Sequence, residues 1–139
     1  MNPVVHFEMP YEDRDRVAEF YAKAFGWKAQ KFGEEMGNYV VAVTGESGDP
    51  SGRPTKPGYI NGGFYKKSEK NFLPSVVISV DDIQAAMKKV KEAGGTLIDN
   101  KTGESTENGE PDMIPGIGLW VSFKDSEGNR VSMLQPRGV

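Results

Sequence analysis

The stretch 13-DRDRVAEFYAKAFG-26 sets Val17, Phe20, Tyr21 and Ala24 at i, i+3, i+4 and i+7, and 81-DDIQAAMKKVKEAGG-95 repeats that spacing with Ile83, Ala86, Met87 and Val90. Such spacing lines apolar side chains along one face of a 3.6-period helix and predicts that the face is buried. The second set follows the first by 66 positions. Each helix comes after a short apolar strand and before further strand-like segments, so a unit of about 70 residues is used twice.

Working outward from the first helix, Pro3 to Met9 alternates, with Val5, Phe7 and Met9 on one side and His6 and Glu8 on the other. That is the pattern of a strand between two environments. Asp13 or Asp15 is placed to cap the helix from Asp13 to Phe25, and Gly26 stands where a left-handed terminal residue is favoured. Trp27 to Phe32, Asn38 to Thr44 and Tyr59 to Lys66 read as strands, the first two joined by a turn through Gly33 and Gly37. Gly45 to Gly58, rich in Gly, Pro, Ser and charge, has little apolar surface to bury and is expected to be a mobile loop able to cover a pocket.

The second unit repeats this grammar. Phe72 to Val80 is the strand, Asp81 the expected cap, and Gly94-Gly95 the stop after Ala93. Thr96 to Asp99 is a short strand and Lys101 to Pro115 a polar loop. Gly118 to Lys124 and Arg130 to Gln135 then pair across Asp125-Ser126-Glu127-Gly128-Asn129, where Gly128 and Asn129 both tolerate positive φ.

The chain has 139 residues, enough for one domain but too few for two of ordinary size, so residues 1–68 and 72–139 are expected to be modules of a single domain. Its 17 basic and 20 acidic residues leave a formal charge of −3 with no basic stripe, which argues against nucleic acid as a partner. No apolar run approaches the roughly 20 residues of a membrane span, and no leader pattern opens the chain, so a cytoplasmic protein with no membrane partner is expected. The absence of cysteine excludes disulfides, thiolate metal sites and cysteine nucleophiles. There is no phosphate-binding glycine loop, no dinucleotide fingerprint and no histidine pair on a helix.

Phe20-Tyr21 in the first helix, Phe25-Gly26-Trp27 at its end, Ala93-Gly94-Gly95 ending the second helix and Lys124-Asp125-Ser126-Glu127-Gly128-Asn129 near the C-terminus form a recognisable set. With the two β-α-β-β-β units, the chain resembles the glyoxalase/bleomycin-resistance/dioxygenase family, the vicinal oxygen chelate superfamily, and within it the branch of lactoylglutathione-lyase-related proteins. The resemblance implies an α+β fold: two βαβββ modules forming an eight-stranded half-open barrel, with helices outside and a cup for a small molecule. It also implies a homodimer.

In enzymatic members of that family, four inward positions hold a divalent metal, one on the first and one on the last strand of each module. Carried onto this chain they fall at His6, at Val77, at Asn61-Gly62-Gly63 and at Ser132, so His6 is the one matched ligand. The expectation is therefore that no cofactor is held, a divalent metal being the alternative.

The resemblance places His6 in the cup as a base or hydrogen-bond donor, with Glu8 on the same face. Tyr39, Trp120, Met133 and Gln135 are candidate ligand contacts, and Gly62 and Gly63 either let a ligand approach the backbone or form a bulge. Phe20, Tyr21 and Phe25 are expected in the core. The preferred reading is a binding module for a small, partly aromatic or amphipathic molecule. The alternative is an enzyme: a metal-dependent lyase, isomerase or dioxygenase, or a metal-free catalyst with His6 as general base.

Overall fold

In the computed structural model, which describes residues 1–46 and 56–137, the chain divides into two compact units: Val5–Pro74, and Met1–Val4 with Ser75–Val139. Most of the expected Gly45 to Gly58 covering loop lies outside the described residues.

The unit Val5–Pro74 is built on β1 (Val4–Tyr11), α1 (Arg14–Phe25), β2 (Lys28–Lys31), a single 3₁₀ turn (Glu34–Met36), β3 (Val40–Val43) and β4 (Asn61–Lys66). Helix α1 starts where the Asp13 carboxylate accepts from the Arg16 amide at 3.0 Å, satisfying one of the unpaired donors of the first turn. It ends at Gly26, whose φ of 73° only glycine adopts at no steric cost. The strands run in the order β2-β3-β4-β1, with β1 parallel to β4 and the other pairs antiparallel. All four residues of β2 are exposed, and lysines at both ends blunt this sheet edge.

The core of this unit lies between α1 and the sheet: Tyr11, Val40, Ala42 and Phe64 are buried, with Phe7, Met9, Val17, Tyr21 and Trp27 packed on them. Tyr21 stacks on Trp27 with ring centroids 4.6 Å apart and stands 5.3 Å from Phe64. The helix stripe is narrower than its spacing suggests. Phe20 is 57% and Phe25 65% exposed, contrary to the expected burial, while Ala18 is the buried contact. Tyr21 is the residue that stacks over the sheet on Trp27, and Phe20 meets it edge-to-face with ring centroids 5.0 Å apart.

The second unit contains β5 (Ser75–Ser79), α2 (Ile83–Glu92), β6 (Thr96–Ile98), β7 (Ser105–Thr106), β8 (Asp112–Ile114), β9 (Gly118–Lys124) and β10 (Arg130–Pro136). Its order is β5-β10-β9-β6-β7, with β8 on β9. Here the helical stripe is buried as expected: Ile83 and Met87 join Val80, Leu97, Val121, Phe123 and Met133, and Ala86 and Val90 pack against them.

Three expectations are corrected in this unit. Asp82, rather than Asp81, caps α2, its carboxylate accepting from the Ala85 amide at 3.1 Å. The segment read as a polar loop holds β7 and β8, so the described residues form ten strands around the expected βαβββ plan. At the β9–β10 turn Gly128 has φ of 83° but Asn129 is not left-handed. The Asp125 carboxylate closes that turn by accepting from the amides of Glu127 and Asn129 and from the Asn129 side chain. The class is α+β, with one helix packed in each unit.

Candidate functional site

The alternation of β1 sorts its side chains: Phe7, Met9 and Tyr11 join the core under α1, which leaves His6 and Glu8 on the opposite face of the sheet. Strand β4 lies beside β1 in parallel register, pairing His6 with Asn61, Phe7 with Gly62, and Glu8 with Gly63. A Cβ on Gly62 would overlap the Phe7 ring, and one on Gly63 would overlap the Tyr39 ring. Two consecutive glycines are thus covered by aromatic rings on opposite faces. Both keep regular pairing with β1 and β3, so the expected bulge is absent, and the close approach is made by the chain's own rings.

Tyr39 is held in place by its neighbours. Gly37 and Asn38 both take the left-handed conformation, with φ of 63° and 55°, and turn the chain out of the 3₁₀ segment. The Asn38 carbonyl accepts from the buried Tyr11 hydroxyl at 2.9 Å, and the Tyr39 carbonyl accepts from the Phe32 amide at 2.9 Å. With the backbone fixed on both sides, the ring lies over Gly63 and its hydroxyl reaches His6 Nε2 at 2.9 Å. Glu8 stands near enough for its charge to act on the same hydroxyl. His6 and Tyr39, 33 residues apart, form a hydrogen-bonded pair on the face away from α1, with Glu8 on the same face.

Burial governs the electrostatics of this group. It lowers the His6 imidazole to about 4, because the charged form loses hydration, so the ring is neutral at physiological pH. Burial also raises the Tyr39 phenol far above its ordinary range, and the negative charge of Glu8 pushes in the same direction. The phenol therefore stays protonated.

The other expected contacts sit in the second unit. Leu119, Val121 and Phe123 of β9 pack toward α2, so the half-buried Trp120 lies on the sheet face turned away from the helix. Met133 does not: it pairs with Val121, is 1% exposed and belongs to the core under α2. Gln135 shares that helix side, where its Oε1 accepts from the Ile83 amide at 2.9 Å and satisfies the first turn of α2.

Of the positions the family uses for metal, Val77 and Ser132 stand opposite each other in the β5–β10 register, and both are buried. The Ser132 hydroxyl is engaged with Ser122 Oγ at 2.9 Å. Asn61 Oδ1 accepts from the Thr44 amide at 3.0 Å. Among the described residues no three His, Cys, Asp or Glu side chains gather as a metal would need. The Ser122–Ser132 pair and the role of Phe7 were not expected. The first would have required knowing the strand register, whereas the bulk of Phe7 opposite a glycine was a signal present in the chain.

Comparison with known proteins agrees with this architecture. A probable lactoylglutathione lyase of Vibrio cholerae is 25% identical over 134 residues, covering 95% of this chain and 89% of that protein. A methylmalonyl-CoA epimerase of Streptomyces coelicolor, solved with 2-nitronate-propionyl-CoA, superposes with a TM-score of 0.67 at 13% identity, covering 100% of this chain and 97% of that one. The epimerase of Mycobacterium tuberculosis gives 0.61 at 13% identity, over 97% and 88% of the two chains. At such identities the structures speak for the fold. The family model described as Glyoxalase/Bleomycin resistance protein/Dioxygenase superfamily matches residues 4–133, and the chain belongs to that superfamily.

Proposed function

We propose that this protein is a small-molecule-binding member of the superfamily that works without the family's metal, with its polar centre at His6. The observation that carries this reading is the ring itself: uncharged, held at Nε2 by Tyr39, and placed on the sheet face that α1 leaves uncovered. The donor set does not fit a divalent metal. Val77 and the two glycines offer no donor, and the Ser132 hydroxyl is spent on Ser122. Nor does the ring suit a general base, since a group lowered to about 4 is too weakly basic to take protons efficiently at neutral pH. A partly aromatic or amphipathic ligand matches the tyrosine and imidazole rings of the group, and Trp120 is the matching aromatic surface of its own unit. No helix among the described residues is long and apolar enough to cross a membrane. The reading includes a homodimer, checked by light scattering.

The test is metal analysis of protein carrying no histidine tag, with nickel, zinc, manganese and iron each offered back after stripping. Retention well below one equivalent is expected. Stoichiometric uptake that disappears in His6→Ala overturns the reading. A thermal-shift screen with aromatic and thiol-conjugated small molecules follows, in which a ligand raises the melting temperature by mass action and His6→Ala removes the shift.

A further inference from the structure

The chain's two tryptophans are used in opposite ways. Trp27 is taken up by its own unit, stacked on Tyr21 and flanked by Phe7 and Phe25. Trp120 is half-buried, and among the described residues it meets no other aromatic ring and no cationic side chain, while its indole N–H has no acceptor. No buried side-chain nitrogen or oxygen lacks a partner, so that N–H reaches solvent.

Strand register sets a carboxylate beside the indole. Asp112 of β8 stands directly opposite Trp120 in the antiparallel β8–β9 pair, so the two side chains leave the same face of the sheet, with Cβ atoms about 4.5–5.5 Å apart. Asn100 Nδ2 donates to Asp112 Oδ2 at 2.9 Å, which leaves Oδ1 without a partner among the described residues. An exposed carboxylate is ionised at neutral pH, and none of the described lysines or arginines pairs with this one. On the other side of Trp120, opposite it in the β9–β10 register, is the half-buried Leu134. The row Asp112–Trp120–Leu134 thus passes from charged through aromatic to apolar on the face turned away from α2, within the second unit alone.

We propose that this row binds a small organic ammonium ion, its charged nitrogen against the indole and Asp112 and its apolar arm along Leu134. The negative face of an indole attracts a cation more strongly than other aromatic rings do, and a carboxylate adds a charge-assisted hydrogen bond from the ammonium N–H. A neutral molecule of the same shape keeps only the apolar contact, and an anion is repelled by Asp112. The inference rests on Trp120 as the ligand surface of its unit and not on the chemistry of His6.

Benzylamine, benzyl alcohol and benzoate share one ring and carry positive, zero and negative charge at neutral pH. The chain's two tryptophans give two indole N–H signals in nitrogen–proton correlation spectra, and Trp120→Phe identifies the one from Trp120. Benzylamine is expected to shift that signal saturably and leave the Trp27 signal still, with affinity about tenfold above that of benzyl alcohol, and benzoate to leave both still. Asp112→Asn keeps an oxygen for Asn100 but removes the charge, and is expected to abolish the advantage of benzylamine over benzyl alcohol. In saturation-transfer spectra of benzylamine itself, Trp120→Phe is expected to weaken binding several-fold.

No shift with benzylamine, equal affinity for benzyl alcohol, or an advantage kept by Asp112→Asn overturns the inference. Metal uptake is read at His6 and this titration at Trp120, so either can fail while the other stands.

Discussion

Tyr39 covers Gly63 and bonds to His6 in the same pose: its ring occupies the space of the missing side chain while its hydroxyl lies 2.9 Å from Nε2. Packing and electrostatics at the site are therefore one problem, and a change in either is transmitted to the other.

The titration of this pair confines stability to a pH window. The folded His6 pKa is depressed, so below about 6.5 the unfolded chain takes up a proton that the folded one refuses. Stability is expected to be flat above that pH and to fall by up to about 3 kcal/mol between pH 6.5 and 4. The Tyr39 pKa is raised, which gives the opposite sign: stability is lost above about pH 10, where the unfolded phenol ionises first. Urea midpoints measured across pH, with His6→Gln flattening the acid limb and Tyr39→Phe the alkaline one, check both signs.

Gly63→Ala is expected to cost about 1–3 kcal/mol, because the added methyl overlaps the Tyr39 ring. Tyr39→Ala removes the obstacle, so the double variant should be less destabilised than the sum of the two. A double-mutant cycle by denaturant unfolding gives the coupling, and strict additivity would contradict the assigned pose.

Ser122 and Ser132 are 2% and 3% exposed and bond to each other at 2.9 Å. Ser132→Ala leaves a buried hydroxyl without its partner, an expected loss of about 1–3 kcal/mol. Removing both hydroxyls should restore much of it. Thermal melts of the two single variants and the double variant would show the double variant nearer to native than either single.

The two helical stripes, alike in spacing, should respond differently. Met87→Ala in the second unit is expected to cost about 2–5 kcal/mol, since it leaves a cavity among Ile83, Leu97 and Met133. Phe20→Ser, on the exposed side of α1, should change stability by no more than about 0.5 kcal/mol. Equal losses would show that Phe20 is buried after all.

This contrast marks how far the fold was legible. Periodicity and caps placed both helices within a residue, because Asp13 and Gly26 act on local backbone groups that any helix must satisfy. Burial depends on what the opposing sheet already contains, and the Tyr21–Trp27 stack that Phe20 meets edge-to-face is a tertiary fact. The facing of His6 and Glu8 followed from alternation along β1. The facing of Met133 was also available, since Val131 and Met133 flank the polar Ser132, but a large apolar residue invites assignment to a ligand as readily as to a core. Tyr39 reached His6 through strand register and a turn of two left-handed residues, neither of which has a local signature strong enough to fix a contact 33 positions away.

The adjacent glycines of β4 also bear on how this chain can change over generations. Bare backbone at 62 and 63 assigns the steric volume on each face of the strand to one residue, Phe7 on the core side and Tyr39 on the other. A single codon change at position 39 re-cuts the contour of that face down to the peptide plane, while Phe7 and the aromatic stack under α1 remain in place. The shape of that face can therefore change while the packing under α1 is kept.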